Sequence, residues 1–180
     1  MRPDLTPEAL GPLVWWLLLL SLLGWIALLT GSKVSRHRRY QRQACRVLER
    51  LPLLASDGQR LMYLRKVNPY VFEELLLDAF ERRGYRIKRN RRYSGDGGLD
   101  GQVWINDQRY LIQAKRYSRA INPAHLVAFA ELVKRERCRG LFVHTGRTGP
   151  KSRAELARMP DVELLSGQPL LNLLKRDLTL

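Results

Sequence analysis

The sequence predicts an α/β protein with a mixed central sheet, joined to one N-terminal transmembrane helix. Three observations carry this reading. No charged residue occurs between Glu8 and Lys33, helix and strand patterns alternate from residue 68 onward, and two strand-like runs flank a two-residue turn. A chain of 180 residues suffices for one core and an appendage, hardly for two full cores.

Leu13 to Leu29 is apolar apart from Ser21 and Gly24, and a helix of about 20 apolar residues spans the hydrocarbon layer of a bilayer. Trp15, Trp16 and Trp25 lie towards the ends of the run, where indole rings prefer the membrane interface. A cleaved signal peptide would carry its positive charge before such a run. Here Arg2 stands against Asp4 and Glu8, and Lys33, Arg36, Arg38, Arg39 and Arg42 come after it. The expectation is an uncleaved single-pass anchor in a bacterial-type inner membrane, with the C-terminal domain cytoplasmic. The expected division is 1–32 for the N-terminal segment and transmembrane helix, 33–65 for a basic juxtamembrane helix and linker, and 66–180 for the folded domain.

Asn68-Pro69 is a helix start, with Asn as N-cap and Pro at the first helical position. Val71, Phe72, Leu75, Leu76, Ala79 and Phe80 continue it at helical spacing, and Gly84 closes it. Tyr85 to Arg91 alternates like a strand, Ser94 to Gly98 is a glycine-rich loop, and Leu99 to Ile105 and Arg109 to Tyr117 form two strands about a turn at Asn106-Asp107. A helix from Asn122-Pro123 to about Arg137, a buried strand from Gly140 to Thr145, a helix from Pro150 to Met159, a strand from Val162 to Leu165 and a last helix from Pro169 complete the order. Such an order predicts a sheet that is antiparallel at first and then extended through helical crossovers.

With 32 Lys and Arg against 17 Asp and Glu, the net charge is +15, which favours polyanionic partners such as nucleic acid or an anionic bilayer surface. Cys45 and Cys138 stand alone, with no spacing that suggests a zinc site or a disulfide framework. The Ser94 to Gly98 loop lacks the ending of a P-loop and does not match the dinucleotide fingerprint. Asp96 within it is a turn residue, and the glycines allow close approach of the backbone to DNA or to a metal site.

A two-residue turn at Asn106-Asp107 places Asp100 opposite Gln113, and Lys115 shares a face with Gln113. One side of the hairpin then gathers a carboxylate, an amide oxygen and an ammonium group. On the first helix of the folded domain Glu74, Asp78 and Glu81 share a polar face. Glu73 falls at the margin of the apolar stripe, where an acid is costly unless paired or metal-bound. Phosphodiester hydrolysis calls for a hard cation with oxygen ligands. Asp100, the Gln113 side chain and the Ala114 carbonyl are the expected metal ligands. Lys115 is expected to orient a water or stabilise developing charge. Arg89, Arg91 and Arg92, from the basic run leading into the loop, are expected to contact DNA phosphates, with Arg116 beside Lys115. His125 and His144 have no telling partner and are read as structural or substrate-contacting.

Taken in order, these segments resemble the Mrr-type restriction endonuclease domain of the PD-(D/E)xK nuclease superfamily. The likeness rests on Asn-Pro-Tyr-Val-Phe-Glu at 68–73, Gly-Tyr at 84–85, Ser-Gly-Asp-Gly-Gly-Leu-Asp-Gly at 94–101, Leu-Ile-Gln-Ala-Lys-Arg-Tyr at 111–117 and a Thr-Gly-x-Thr-like element at 145–148. It implies a restriction-endonuclease-like sandwich in which Asp100, Gln113 and Lys115 are catalytic and Glu73 is the acid from the first helix. Dependence on Mg²⁺, with Mn²⁺ as a substitute, and double-stranded DNA as substrate are implied as well, with room for a homodimer. Gln113 stands where many superfamily members carry Glu, which looks typical of the Mrr branch and removes one negative charge from the metal site. The expected function is a membrane-anchored endonuclease restricting foreign or modified DNA. The alternatives are a non-catalytic DNA-binding membrane tether and a repair or recombination nuclease of the same fold.

Overall fold

The computed structural model describes residues 7–90 and 98–175, and side chains at 14–26, 36–90 and 98–175. By contacts the chain divides into two units, 1–39 and 40–180.

Helix α1 is Pro7–Arg50. Within the first unit the described apolar side chains from Val14 to Ile26 are exposed, Trp15 by 73% and Leu17 by 67%. Among the described residues no helix is long and apolar enough to cross a membrane. At a rise of about 1.5 Å per residue the stretch from Val14 to Ile26 falls short of a hydrocarbon layer of about 30 Å. The rest of the expected span, before residue 14 and from 27 on, lies outside the described side chains.

The second unit starts with the C-terminal part of α1. Ala44, Val47, Leu48 and Leu51 are buried in the same core cluster as the helices and strands that follow. From about Leu51 the sequence suggests a linker or a short connecting element; there a short 3₁₀ turn, Leu51–Leu53, leads into helix α2, Asp57–Lys66. Ser56 caps α2 by accepting from the Gln59 amide, and the fully buried Leu64 fixes it to the core. Polar composition concealed this helix, because only a narrow strip of it is apolar.

Helix α3, Pro69–Arg82, starts at the predicted cap, with the Asn68 side chain accepting from the Tyr70 amide. Leu75 and Leu76 are both 0% exposed, each contributing about 1.5–3 kcal/mol by burial. Strands β1 (Arg86–Arg89), β2 (Gly101–Ile105), β3 (Gln108–Lys115), β4 (Arg139–His144) and β5 (Val162–Leu165) form one sheet in the order β1-β2-β3-β4-β5. The first three are antiparallel, and β4 and β5 join in parallel. Helices α4 (Pro123–Arg135) and α5 (Pro150–Leu156) supply the crossovers, and α6 (Gly167–Leu174) closes the chain. This is the mixed α/β architecture that the order of elements predicts.

Alternation along the strands sorts the core into two layers. Val103, Ile112, Leu141 and Val143 pack with α3, α6 and the segment before them. Leu111, Phe142 and Val162 pack with α4. The sheet is thus covered on both faces, and polar chemistry is left to the strand ends.

Candidate active site

The turn between β2 and β3 sets the site. Asn106 (φ 50°) and Asp107 (φ 62°) both adopt the left-handed conformation, the signature of a type I′ turn whose twist suits a two-residue hairpin. The resulting register pairs Ile105 with Gln108 and Gly101 with Ile112. The paired residues end there: the Asp100 amide donates to the Ile112 carbonyl at 2.9 Å, one step out of that register, so the expected facing of Asp100 and Gln113 is not part of the ladder. Asp100 Oδ2 accepts from the Ala114 amide at 2.7 Å, which ties the carboxylate to the neighbouring strand.

Gln113 is 6% exposed. Its Nε2 donates to the Gly98 carbonyl at 2.6 Å, while Oε1 is buried with no hydrogen-bond partner among the described residues. An amide oxygen left so is unfavourable by about 1–3 kcal/mol. Two residues on, Lys115 ends β3 half-buried, in no ion pair among the described residues.

Glu73 reaches the same region from the first turns of α3. Its carboxyl is pushed up to about 8, first by burial, then by the charge of Asp100 and of Glu74, with Lys115 pulling the other way. Glu73, Asp100 and Lys115 therefore lie within one another's electrostatic field, which the hairpin alone did not predict. Among the described residues no group of three or more His, Cys, Asp and Glu gathers as a metal cluster. The donors here are of another kind: two carboxylates, an amide oxygen with no partner among the described residues, and backbone carbonyls. Hard oxygen donors of this sort fit a small divalent cation that keeps several waters.

Of the four arginines expected to contact DNA, Arg89 is held within the protein by ion pairs. Its Nε donates to Glu74 at 3.1 Å and its Nη2 to Glu81 at 2.7 Å, with Asp78 on Nη2 as well. Burial opposes the charge on Arg89, and the hydrogen bonds to Glu81 and Asp78 outweigh it. Four of the five guanidinium N–H groups go to three carboxylates on α3, which leaves at most one Nη1 N–H for a phosphate. The Glu74, Asp78 and Glu81 face was predicted; its burial beneath Arg89 was not, and Glu74 is only 2% exposed. Arg116 donates to the Arg65 carbonyl at 3.1 Å. Arg91 and Arg92 lie outside the described residues.

A second network braces the end of β3. Thr145 Oγ1 accepts from the Tyr117 amide and donates to the Tyr117 carbonyl, each at 3.1 Å. Arg65 Nε donates to the Thr145 carbonyl at 3.0 Å. These contacts link α2, β4 and the chain just beyond Lys115, and no local motif announces them. His144 is fully buried, pairs with the Thr148 hydroxyl at 3.3 Å, and burial lowers its pKa to about 4. His125 is exposed and hydrogen-bonds the Tyr117 hydroxyl.

Residues 64–174 match the family described as restriction endonuclease, the Mrr catalytic domain. Over 128 residues the chain is 29% identical to the type IV methyl-directed restriction enzyme EcoKMrr of Escherichia coli, covering 67% of this chain and 42% of that protein. Among solved structures, MspJI restriction endonuclease in complex with a 27-mer oligonucleotide shares the fold, with a TM-score of 0.50 and 24% identity over 65% of this chain and 30% of that one. The chain thus spans less than half the length of either protein. With the family's region covering more than half of its length, this chain belongs to the Mrr-type restriction endonuclease family.

Proposed function

We propose that the chain is a metal-dependent endonuclease that hydrolyses phosphodiester bonds in double-stranded DNA, restricts foreign or modified DNA, and is anchored by its N-terminal helix. One observation carries the catalytic reading. Gln113 Oε1 is buried with no hydrogen-bond partner among the described residues, on the strand that ends in Lys115 and whose Ala114 amide holds Asp100, and a Glu73 carboxyl pushed up to about 8 lies in the field of Asp100 and Lys115. Left empty, such a site is unfavourable, and a divalent cation satisfies both the amide oxygen and the crowded carboxyls.

Asp100, Gln113 Oε1 and the Ala114 carbonyl are the groups to hold Mg²⁺, with Mn²⁺ as a substitute. A cation there supplies charge neutralisation at the phosphate and lowers the pKa of an attacking water. The protein's own groups do the rest. The Ala114 amide holds Asp100 in place, which spares reorganisation during reaction. Lys115 brings a positive charge to the strand end, suited to orienting a water and to stabilising charge that develops on the phosphate. Glu73 holds a proton near neutral pH without the cation and is available as a carboxylate with it.

Family membership and the name of the E. coli relative support DNA as substrate and modified DNA as the preferred class. The exposed apolar surface of Val14 to Ile26, with the apolar Ala27, Leu28 and Leu29 next in sequence, supports a single-pass anchor. Basic residues after it support a cytoplasmic C-terminal domain at an inner membrane.

The full chain in mild detergent is to be incubated with methylated and unmethylated plasmid under Mg²⁺, Mn²⁺ and EDTA, beside Lys115→Ala. Metal-dependent cutting that the variant loses is the expected result. DNA binding without cutting by folded protein would instead support the non-catalytic tether. Resistance of the membrane-bound chain to alkaline carbonate extraction tests the anchor.

A further inference from the structure

We infer that the Gly98 carbonyl is a positioning group that selects glutamine, and rejects glutamate, at position 113. The inference rests on the metal site proposed above and adds what fixes one of its ligands. A carbonyl oxygen can only accept hydrogen bonds, so the side-chain atom 2.6 Å from Gly98 O must be the nitrogen of the amide. That contact decides which way the Gln113 amide is turned. Oε1 is thereby directed away from Gly98, buried and without a partner among the described residues. The amide is held by one end so that the other end is free to accept from or ligate a cation.

A carboxylate in the same place would set an oxygen lone pair against the Gly98 carbonyl. It would fit only if protonated, and would then forfeit the negative charge that makes glutamate the stronger ligand elsewhere. Glutamine is accordingly the matched residue for this loop rather than a weakened substitute.

Gly98 is itself constrained twice. Its φ of +86° is a conformation that side chains disfavour, and a Cβ there would meet Gln113 Nε2 at 2.3 Å. The next residue is tied down as well, since the Asn90 side chain donates to the Leu99 carbonyl. The carbonyl that orients Gln113 therefore sits on anchored backbone, the kind of support that typically changes metal affinity by about 10- to 100-fold when lost.

The test is Mn²⁺ titration of the full chain in mild detergent, followed by calorimetry, for the wild type, Asp100→Ala, Gln113→Glu and Gly98→Ala. Binding by the wild type that Asp100→Ala abolishes upholds the metal reading. On that footing Gln113→Glu should bind about 10- to 100-fold more weakly despite its added charge, and Gly98→Ala should weaken likewise. Gln113→Glu binding as tightly as the wild type, or more so, overturns the inference and leaves the metal reading intact. A wild type that binds no Mn²⁺, or an Asp100→Ala that binds as well, overturns both. Independently of any variant's folding, the Gln113 side-chain NH₂ in metal-free wild-type protein should show slowed hydrogen exchange by NMR. Exchange as fast as that of an exposed glutamine would overturn the inference on its own.

Discussion

Glu73 and Glu74 are neighbours on α3, yet the fold treats them in opposite ways. Glu74 is the more buried of the two and lies under Arg89, which it shares with Asp78 and Glu81. Glu73 is half-buried, faces the charge of Asp100 rather than a guanidinium, and is pushed up to about 8. One face of the helix brings its own cation, and the other is where we propose that a cation from solution binds. The difference teaches that burial of a carboxylate does not mark function by itself. What separates the structural acid from the candidate catalytic acid is whether the protein supplies the neutralising charge.

The contrast is open to attack at several points. Asp100→Ala and Lys115→Ala should each lower DNA cleavage by about 10³-fold while leaving the thermal transition little changed. Plasmid nicking measured beside a melting curve checks both halves, and undiminished cleavage would remove these residues from the site. Arg89→Ala should do the reverse. Leaving the buried Glu74 without its partner should destabilise the fold by about 3 kcal/mol in urea unfolding. Unchanged stability would mean that the three carboxylates find another cation.

Glu73 offers a pH test with a definite sign. Its carboxyl titrates higher in the folded protein than in the unfolded chain, so the folded state binds more protons between the two values. Its contribution to stability is present below the ordinary carboxylate range and is lost as pH rises through about 8. In EDTA, Glu73→Gln should remove this loss and stand above the wild type by on the order of 2 kcal/mol at alkaline pH, partial exposure allowed for. Parallel urea curves with the same pH slope in both proteins would refute the assignment. The smallest effect is expected at the rim. The Arg109–Glu136 pair, 3.3 Å apart and partly exposed on both sides, should change unfolding free energy by under about 1 kcal/mol when Arg109 becomes Ala.

Much of this site was legible in the chain because it depends on local rules. A two-residue turn at Asn106-Asp107 fixes the register from Ile105–Gln108 to Gly101–Ile112, so the two strands that carry the site could be paired from sequence alone. Helical spacing likewise grouped Glu74, Asp78 and Glu81 and set Glu73 apart. Asn68 and Pro69 announced α3, and the strand β5 was found at its observed bounds. By contrast, Arg89 reads in sequence as one more member of a basic run. Only the packing of β1 against α3 shows that its charge is spent inside the protein.

Sequence by itself determined the order of elements from residue 68 on, the mixed sheet and the hairpin register, because turn chemistry and side-chain periodicity act over a few residues. Tertiary structure decided what distance in the chain conceals. It drew the segment from Tyr40 to Lys66 into the core, where Leu64 and Leu51 are buried, although the sequence suggested a juxtamembrane helix followed by a linker. It brought Glu73 into the field of Asp100, and it turned the Gln113 amide by setting the Gly98 carbonyl against one end of it. The physical reason is the same in each case. Burial, charge and hydrogen-bond direction are properties of a residue's surroundings, and those exist only once remote parts of the chain have packed together.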